Sequence, residues 1–189
     1  MSILQTIAQL RRPIAYGASR EVFYSKRYDV IIKRQQEDDC CMLGDQNQVE
    51  YDLWKSLSDD KKKFLPILDG VMYKGRLHLI MKRCKTFADL GYSWHKFVLH
   101  NENETIDFAD SHKLDRKWML ELSSFAMEYA LSDLHAHNVG LDPDGRPVII
   151  DAGLTAEHDA SDREKMEYSY NPCRSCCETC DEDCYYFCS

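Results

Sequence analysis

The chain has 189 residues, a formal net charge of −8 and a hydrophobic fraction of 44%. A chain of this length and composition can fold as one compact unit with a buried core and two small lobes. Its acidic balance argues against a general nucleic-acid-binding surface. No apolar run reaches the ~18 residues of a membrane span, and residues 1–10 carry no signal-peptide apolar region. We therefore expect neither nucleic acid nor membrane among its partners.

Three strand-like segments open the chain. Residues 13–16 and 21–25 flank the turn Gly17-Ala-Ser-Arg-Glu-Val22-Phe23, and a turn of small residues lets backbone N–H groups approach a phosphate. An ordinary hairpin explains the same pattern. The third segment, residues 28–33, contains a Val-Ile-Ile run that predicts a buried strand ending at Lys33. A lysine in that position is usually a solvated strand end.

A helix and two more strands follow. Residues 45–57 predict a helix that also carries Glu50. The apolar face of this helix is formed by Val49, Leu53, Trp54 and Leu57. Two strand-like runs, residues 65–73 and 76–81, are joined at a short turn of Lys74-Gly75.

The middle of the chain is predicted to be irregular and then helical. Residues 85–113 are polar, with Asn101-Glu-Asn-Glu104 as a loop. Residues 114–130 have a strongly amphipathic pattern that predicts a helix. The apolar positions at helical spacing are Leu114, Trp118, Leu122, Phe125, Ala126 and Tyr129.

The segment after this helix contains the most informative motif. Asp133-Leu-His-Ala-His-Asn138 is followed, thirteen residues after Asn138, by Asp151-Ala-Gly153. The turn sequence Asp142-Pro-Asp-Gly145 predicts a hairpin that brings Asn138 and Asp151 to one end. A carboxylate and an amide oxygen suit a hard cation such as Mg²⁺, which is usually shared with phosphates. Asp133 would lie beside them and could orient a hydroxyl group.

This spacing resembles the catalytic core of the protein-kinase-like superfamily, where an Asp and an Asn separated by four residues precede a hairpin and an Asp-Phe-Gly motif. The resemblance implies that Asp133 is the catalytic-loop base and that Asn138 and Asp151 are Mg²⁺ ligands. Two positions depart from the family pattern, since Leu131-Ser132 replace His-Arg and Ala152 replaces the Phe.

The upstream segments follow the order of a kinase amino-terminal lobe, with five strands and one helix after the third. The resemblance implies that Gly17, Ser19 and Val22 belong to a glycine-rich loop over the nucleotide, although only its first glycine is present. Lys33 would contact the α and β phosphates of ATP, with Glu50 as its partner on the helix.

The likeness covers residues 13–155 and then stops, since no Ala-Pro-Glu motif follows. We therefore expect the peptide-docking part of a full kinase to be missing, which resembles short phage-encoded kinases. Phage origin would imply the cytoplasm of a bacterial host. His135 stands where many protein kinases have Lys, which resembles small-molecule phosphotransferases and some phage kinases. Residues 82–84 would form the hinge.

A cysteine-rich tail ends the sequence, with cysteines at positions 173, 176, 177, 180, 184 and 188. Asn171 and Pro172 would start a helix whose cysteine stripe packs on the carboxy-terminal lobe. Cysteine pairs separated by two residues are also typical of metal sites. A disulfide cluster is a third interpretation, against which a cytosolic location argues. A disordered or an acylated tail is also left open.

We therefore predict an α+β protein with a minimal bilobal kinase-like fold. A five-stranded amino-terminal lobe with one helix would span residues 1–83, a truncated and mostly helical carboxy-terminal lobe 84–170, and the tail 171–189. The predicted function is ATP- and Mg²⁺-dependent phosphoryl transfer to Ser or Thr of a protein, a host protein if the chain is phage-encoded. Two alternatives stay open: a small-molecule kinase, and a pseudokinase that acts as a binding or inhibitory module.

Overall fold

The structure is a computed structural model that describes residues 2–17, 20–36, 46–95 and 98–152. These residues form an α+β fold. The helices are α1 (Ile3–Ala8), α2 (Gln46–Ser56), α3 (Asp59–Lys62), α4 (Glu102–Ser111) and α5 (Arg116–Glu128), with a 3-10 helix at Val98–His100. The strands are β1 (Ala15–Tyr16), β2 (Arg20–Ser25), β3 (Val30–Gln35), β4 (Ile67–Tyr73), β5 (Arg76–Lys82), β6 (Lys85–Thr86), β7 (Val139–Leu141) and β8 (Pro147–Ile149).

The amino-terminal half is built on the predicted five-stranded sheet. Its strands pair antiparallel in the order β1-β2-β3-β5-β4. Lys74 and Gly75, which join β4 to β5, both have positive φ angles of 51° and 76°, as a tight two-residue hairpin requires. The first strand is shorter than predicted and begins at Ala15.

The sheet separates two groups of buried side chains. Side chains alternate between the faces of a strand, so Ile80 of β5 lies on the outer face and Met81 on the inner face. Helix α1 covers the outer face with Ile7. This helix was not predicted, although Ser2 and Gln5 form a capping box at its start. The inner face joins the main core of the carboxy-terminal half.

Helix α2 is held on the inner face by polar and aromatic contacts. The side-chain amide of Asn47 donates hydrogen bonds to the backbone oxygens of Lys33 (3.1 Å) and Leu77 (2.9 Å). The ring of Tyr51 lies against Gly70 of β4, where an added Cβ would come within 2.7 Å of the ring. The predicted apolar face is therefore only part of the buried face. The residues of α2 that are buried most completely are Gln46, Asn47 and Glu50.

The carboxy-terminal half contains α4, α5 and a second sheet of order β6-β7-β8. The prediction of an irregular segment at 85–113, with a loop at 101–104, is wrong because Asn101 caps α4. The side-chain oxygen of Asn101 accepts the N–H groups of Asn103 (3.0 Å) and Glu104 (3.3 Å). Acidic residues in the first turn also favour the helix.

The predicted helix at 114–130 is confirmed as α5, which is shorter at both ends. Asp115 accepts the N–H of Trp118 at 2.8 Å and caps the helix start. Ala130 adopts a φ of 48°, which ends the helical geometry. The buried face consists of Met119, Leu122, Ser123, Phe125 and Ala126, so the helix packs on the main core and delivers the chain to the Asp133 loop.

The predicted hairpin at 142–145 is confirmed. Strands β7 and β8 pair antiparallel, and the Asp142 carboxylate accepts the N–H groups of Asp144 and Arg146, each at 2.9 Å. The backbone oxygen of Asn138 accepts the N–H of Ile150 at 2.7 Å and that of Asp151 at 3.3 Å. The hairpin thus brings Asn138 and Asp151 side by side, as its turn sequence predicts.

Several predictions lie outside the described residues. They concern Ser19 in the predicted glycine-rich loop and the tail at 171–189 with its alternatives. Within the residues that the structure does describe, no helix is both long enough and apolar enough to span a membrane.

Candidate active site

A cleft of about 750 Å³ lies between the five-stranded sheet and the carboxy-terminal half. This volume is typical of small-molecule sites, which range over ~300–1,000 Å³. The sequence-predicted residues in its lining are Gly17, Val22, Lys33, Asp133, Asn138 and Asp151. Glu50 lies behind Lys33 and is fully buried. The structure therefore gathers at one cleft every predicted site residue that it describes.

Lys33 and Glu50 form a buried ion pair at the back of the cleft. The Lys33 Nζ lies 3.0 Å from Glu50 Oε2 and 3.3 Å from Oε1, and the two side chains are 4% and 0% exposed. Strand β3 positions the lysine, and α2, fixed by Asn47 one turn earlier, positions the carboxylate. A carboxylate this deeply buried requires a charged or hydrogen-bonding partner, so the pair also fixes α2 against the sheet.

The same two residues reach the carboxy-terminal half. The Lys33 Nζ donates to the backbone oxygen of Ile150 at 2.7 Å and lies 3.6 Å from Asp151 Oδ2. Glu50 Oε1 accepts the backbone N–H of Ala152 at 3.3 Å. The segment that follows β8 is thereby bonded to β3 and α2, and the position of Asp151 depends on the Lys33–Glu50 pair.

The loop that carries Asp133 is anchored on both sides of it. Leu131 and Leu134 are each 1% exposed, so they insert into the core and leave Asp133 at the cleft. Trp94 Nε1 donates to the backbone oxygen of Leu134 at 2.6 Å. The Asn138 side-chain amide donates to the backbone oxygen of Asp133 at 2.8 Å and to its Oδ2 at 3.1 Å. An acid held in one orientation can accept a hydrogen bond from a substrate hydroxyl.

Asn138 and Asp151 fit a hard cation by their chemistry. The amide NH₂ of Asn138 is directed at Asp133, which leaves the amide oxygen for a ligand, and Mg²⁺ prefers such oxygen donors. Among the residues that the structure describes, no group of three or more His, Cys, Asp or Glu is arranged to hold a metal. A cation here would take its remaining ligands from phosphates and water, as Mg²⁺ commonly does.

His135 lies beside Asp133 near the mouth of the cleft. Its Nε2 is 3.6 Å from Asp133 Oδ1, and its Nδ1 accepts the backbone N–H of His137 at 3.2 Å. Since Nδ1 accepts a hydrogen bond, the ring proton is on Nε2, the atom that faces Asp133. The N–H group at His135 Nε2 is therefore a hydrogen-bond donor beside the Asp133 carboxylate, which a hydroxyl substrate would approach.

Part of the cleft lining is apolar. It consists of side chains of the sheet, including Val22, Ile31 and Met81, and of Cys84 after β5. Burial, and then the nearby Asp142 carboxylate, raise the pKa of the Cys84 thiol to about 12. The thiol is therefore protonated at neutral pH and acts as a small apolar group. An apolar part together with a charged part suits a ligand with a flat ring and an anionic tail.

Arg20 is the site residue that sequence reasoning missed. Its side chain is 6% exposed and joins Glu50 Oε2, at 2.7 Å from Nη1, to Asp151 Oδ1, which contacts Nη2. Burial alone would lower the pKa of Arg20, but the Asp151 and Glu50 carboxylates outweigh burial and raise the pKa above its ordinary value. The sequence offered one weak signal, since Arg20 directly follows the small residues Gly17, Ala18 and Ser19.

Comparison with solved structures identifies the fold. The crystal structure of Cex1p matches with a TM-score of 0.53 and 15% identity, over 84% of this chain and 30% of that chain. The apo form of PpkA-294 matches with a TM-score of 0.46 and 14% identity, over 84% of this chain and 62% of that chain. This chain therefore spans less than two thirds of the length of either protein. No family model and no curated protein matches the sequence.

The match to Cex1p is too distant in sequence to carry more than the fold. The five-stranded antiparallel sheet, the helix that packs on it and the mostly helical second half form a small α+β bilobal fold. The chemistry of the cleft has to be argued from its own side chains.

Proposed function

We propose that this protein is a phosphotransferase that uses ATP with Mg²⁺ and transfers the γ-phosphoryl group to a hydroxyl. The observation that carries the proposal is the buried Lys33–Glu50 pair, which faces Asp151 in the cleft that also contains Asp133 and Asn138. Phosphoryl transfer needs little covalent chemistry from a protein, since positioning and charge neutralisation supply most of the catalysis.

Each residue has a distinct role in this proposal. Lys33, held by Glu50, orients the phosphates of ATP, and the apolar part of the cleft receives the adenine. Asn138 and Asp151 would hold Mg²⁺, which when bound neutralises phosphate charge. Asp133 orients the acceptor hydroxyl and accepts its proton. The hydroxyl oxygen then bonds to the γ-phosphorus, and the bond from that phosphorus to the bridging oxygen of ADP breaks.

The acceptor that we propose is a Ser or Thr side chain of a protein, a host protein if the chain is phage-encoded. The side chains of Asp133 and His135 are 45% and 50% exposed, so the acceptor side of the cleft is open enough for an extended segment. A small polar acceptor is the second candidate, because His135 Nε2–H could donate to it beside Asp133.

A nucleotide-binding module without transfer activity is favoured by one observation, the contact of Arg20 with Asp151. An aspartate that is paired with a buried arginine is a poorer metal ligand than a free one. In this alternative, the cleft would bind a nucleotide and change the affinity of the protein for a partner.

Two measurements test the proposal. ATP with Mg²⁺ should raise the thermal stability of the wild type, by about 2.7 kcal/mol at 100 times its dissociation constant, and labelled ATP should yield labelled protein in a lysate. Asp133→Asn should keep the stability shift and lose transfer, because Asp133 touches the acceptor and not ATP. Asp107→Asn, on the exposed surface of α4, is the matched control and should keep both.

The outcomes separate the candidates. Absence of any stabilisation by ATP, with or without Mg²⁺, would refute the proposed function. Stabilisation without labelled product from any acceptor would favour the nucleotide-binding module. Full transfer by Asp133→Asn would show that Asp133 is not the base.

A further inference from the structure

The Arg20 guanidinium occupies one oxygen of Asp151, which is one of the two predicted metal ligands. It contacts Asp151 Oδ1, while Lys33 Nζ is 3.6 Å from Asp151 Oδ2. Both oxygens of the predicted metal ligand therefore face a cationic group. Asn138, the other predicted ligand, has an uncharged side chain, so the negative charge available to a metal from this pair comes from Asp151 alone.

The four described ion-paired side chains at the back of the cleft carry equal numbers of positive and negative charges. Arg20 and Lys33 supply two positive charges, and Glu50 and Asp151 supply two negative charges. A divalent cation placed on Asp151 would add two positive charges next to Arg20 and Lys33. Like charges repel strongly when they are buried, as Arg20 and Lys33 are at 6% and 4% exposure, so a free metal ion is disfavoured here unless Arg20 moves or an anion enters.

Arg20 cannot leave Asp151 by losing its proton. Arginine remains charged in proteins. Its backbone is also fixed, because the Arg20 oxygen accepts the N–H of Gly17 at 2.7 Å and Arg20 pairs with Gln35 across the sheet. The guanidinium can therefore leave Asp151 only by rotation of its side chain toward another anion. The phosphates of a nucleotide in this cleft are such an anion.

We propose that Arg20 and a divalent cation are mutually exclusive partners of Asp151. Arg20 excludes free metal ions from Asp151 and releases this residue when a metal–nucleotide complex enters and its phosphates accept the guanidinium. This inference rests on the proposed function for the entry of the nucleotide, but the exclusion of free metal rests on the ion pairs alone. Arg20 is a positioning residue that makes metal binding dependent on the nucleotide.

The experiment measures bound Mn²⁺ by electron paramagnetic resonance, which does not depend on catalysis. Wild-type protein should bind free Mn²⁺ weakly and bind it tightly only with ADP. Arg20→Gln should bind free Mn²⁺ at least about tenfold more tightly than the wild type, since removal of a cation from a coupled site relieves repulsion. The added Asp151→Asn substitution should abolish that gain. Arg34→Gln removes an arginine that pairs with Glu21 in the same sheet, outside the cleft lining, and should behave as the wild type.

A second variant covers the case in which Arg20→Gln does not fold. Arg20→Lys keeps the charge, but one ammonium group cannot bridge both carboxylates as the guanidinium does, so free Mn²⁺ should bind it more tightly than the wild type. Equal free Mn²⁺ affinity of the wild type and the folded Arg20 variants would overturn the inference, as would a gain that persists with Asp151→Asn. Failure of ADP to bind any variant would instead refute the proposed function, and the difference in free Mn²⁺ affinity would still stand.

Discussion

The substitution Glu50→Gln should destabilise this protein strongly because Glu50 is the only partner shared by Arg20, Lys33 and the Ala152 N–H among the described contacts. Glutamine has nearly the same shape, so the change removes a charge and leaves the packing intact. Two buried cations would then share the single carboxylate of Asp151. Loss of one member of a buried ion pair costs about 3–5 kcal/mol. For a domain of this size, that corresponds to a fall in melting temperature of roughly 6–20 °C.

Thermal unfolding followed by circular dichroism measures this loss. The matched control is Glu128→Gln, which removes an exposed carboxylate that pairs with Lys61 and should barely change the melting temperature. The double variant Arg20→Gln/Glu50→Gln restores equal numbers of positive and negative charges at the back of the cleft. It should therefore lose less stability than the sum of its two single variants. A melting temperature of Glu50→Gln equal to that of Glu128→Gln would refute the reasoning.

Two further predictions follow from buried titratable groups. Burial raises the pKa of the Cys84 thiol to about 12. Iodoacetamide at pH 8 should therefore alkylate Cys84 far more slowly in the folded protein than in urea, as measured by peptide mass spectrometry. Equal alkylation rates in the two states would contradict this prediction. His78 is buried, and burial first, then the charges of Arg34 and Arg76, lower its pKa. Below the unfolded value of about 6.5 the unfolded chain binds a proton that the folded chain resists, so stability falls as pH falls. Urea unfolding should show that the free energy of unfolding falls less between pH 7.5 and pH 5.5 for His78→Gln than for the wild type. An equal fall in both proteins would contradict a lowered pKa of His78.

The strands and the long helix could be predicted because their signals are local. Apolar runs and the turn residues Lys74-Gly75 and 142–145 define the hairpins, and helical spacing defines α5. Helix α4 was missed because its apolar face is narrow: Phe108 and Ala109 are buried, while the residues around them are acidic or polar. The cap residue Asn101 was the available signal, and it was interpreted as part of a loop.

The site was predictable where spacing along the chain sets geometry. Asn138 and Asp151 meet because a hairpin of known length separates them. The pairing of Lys33 with Glu50 is instead implied by the resemblance to the kinase-like order of strands and helix, since the contact itself depends on the docking of α2 on the sheet. The partners of Arg20 and Asn47 depend on how α2 docks on the sheet, which no local pattern specifies.

The ion-pair network is stronger support for function than for stability. Buried ion pairs contribute little net stability, since well-packed apolar residues of similar volume are often as stable. A fold that needed only to join α2 to the segment after β8 would have no physical need for Arg20, Lys33, Glu50 and Asp151 together. Glu50 and Asp151 each contact both Arg20 and Lys33. A change in the charge of one of these side chains therefore changes the forces on the others. A polyphosphate ligand carries the charge that would rearrange such a network, and this is the physical reason to expect an anionic nucleotide in the cleft.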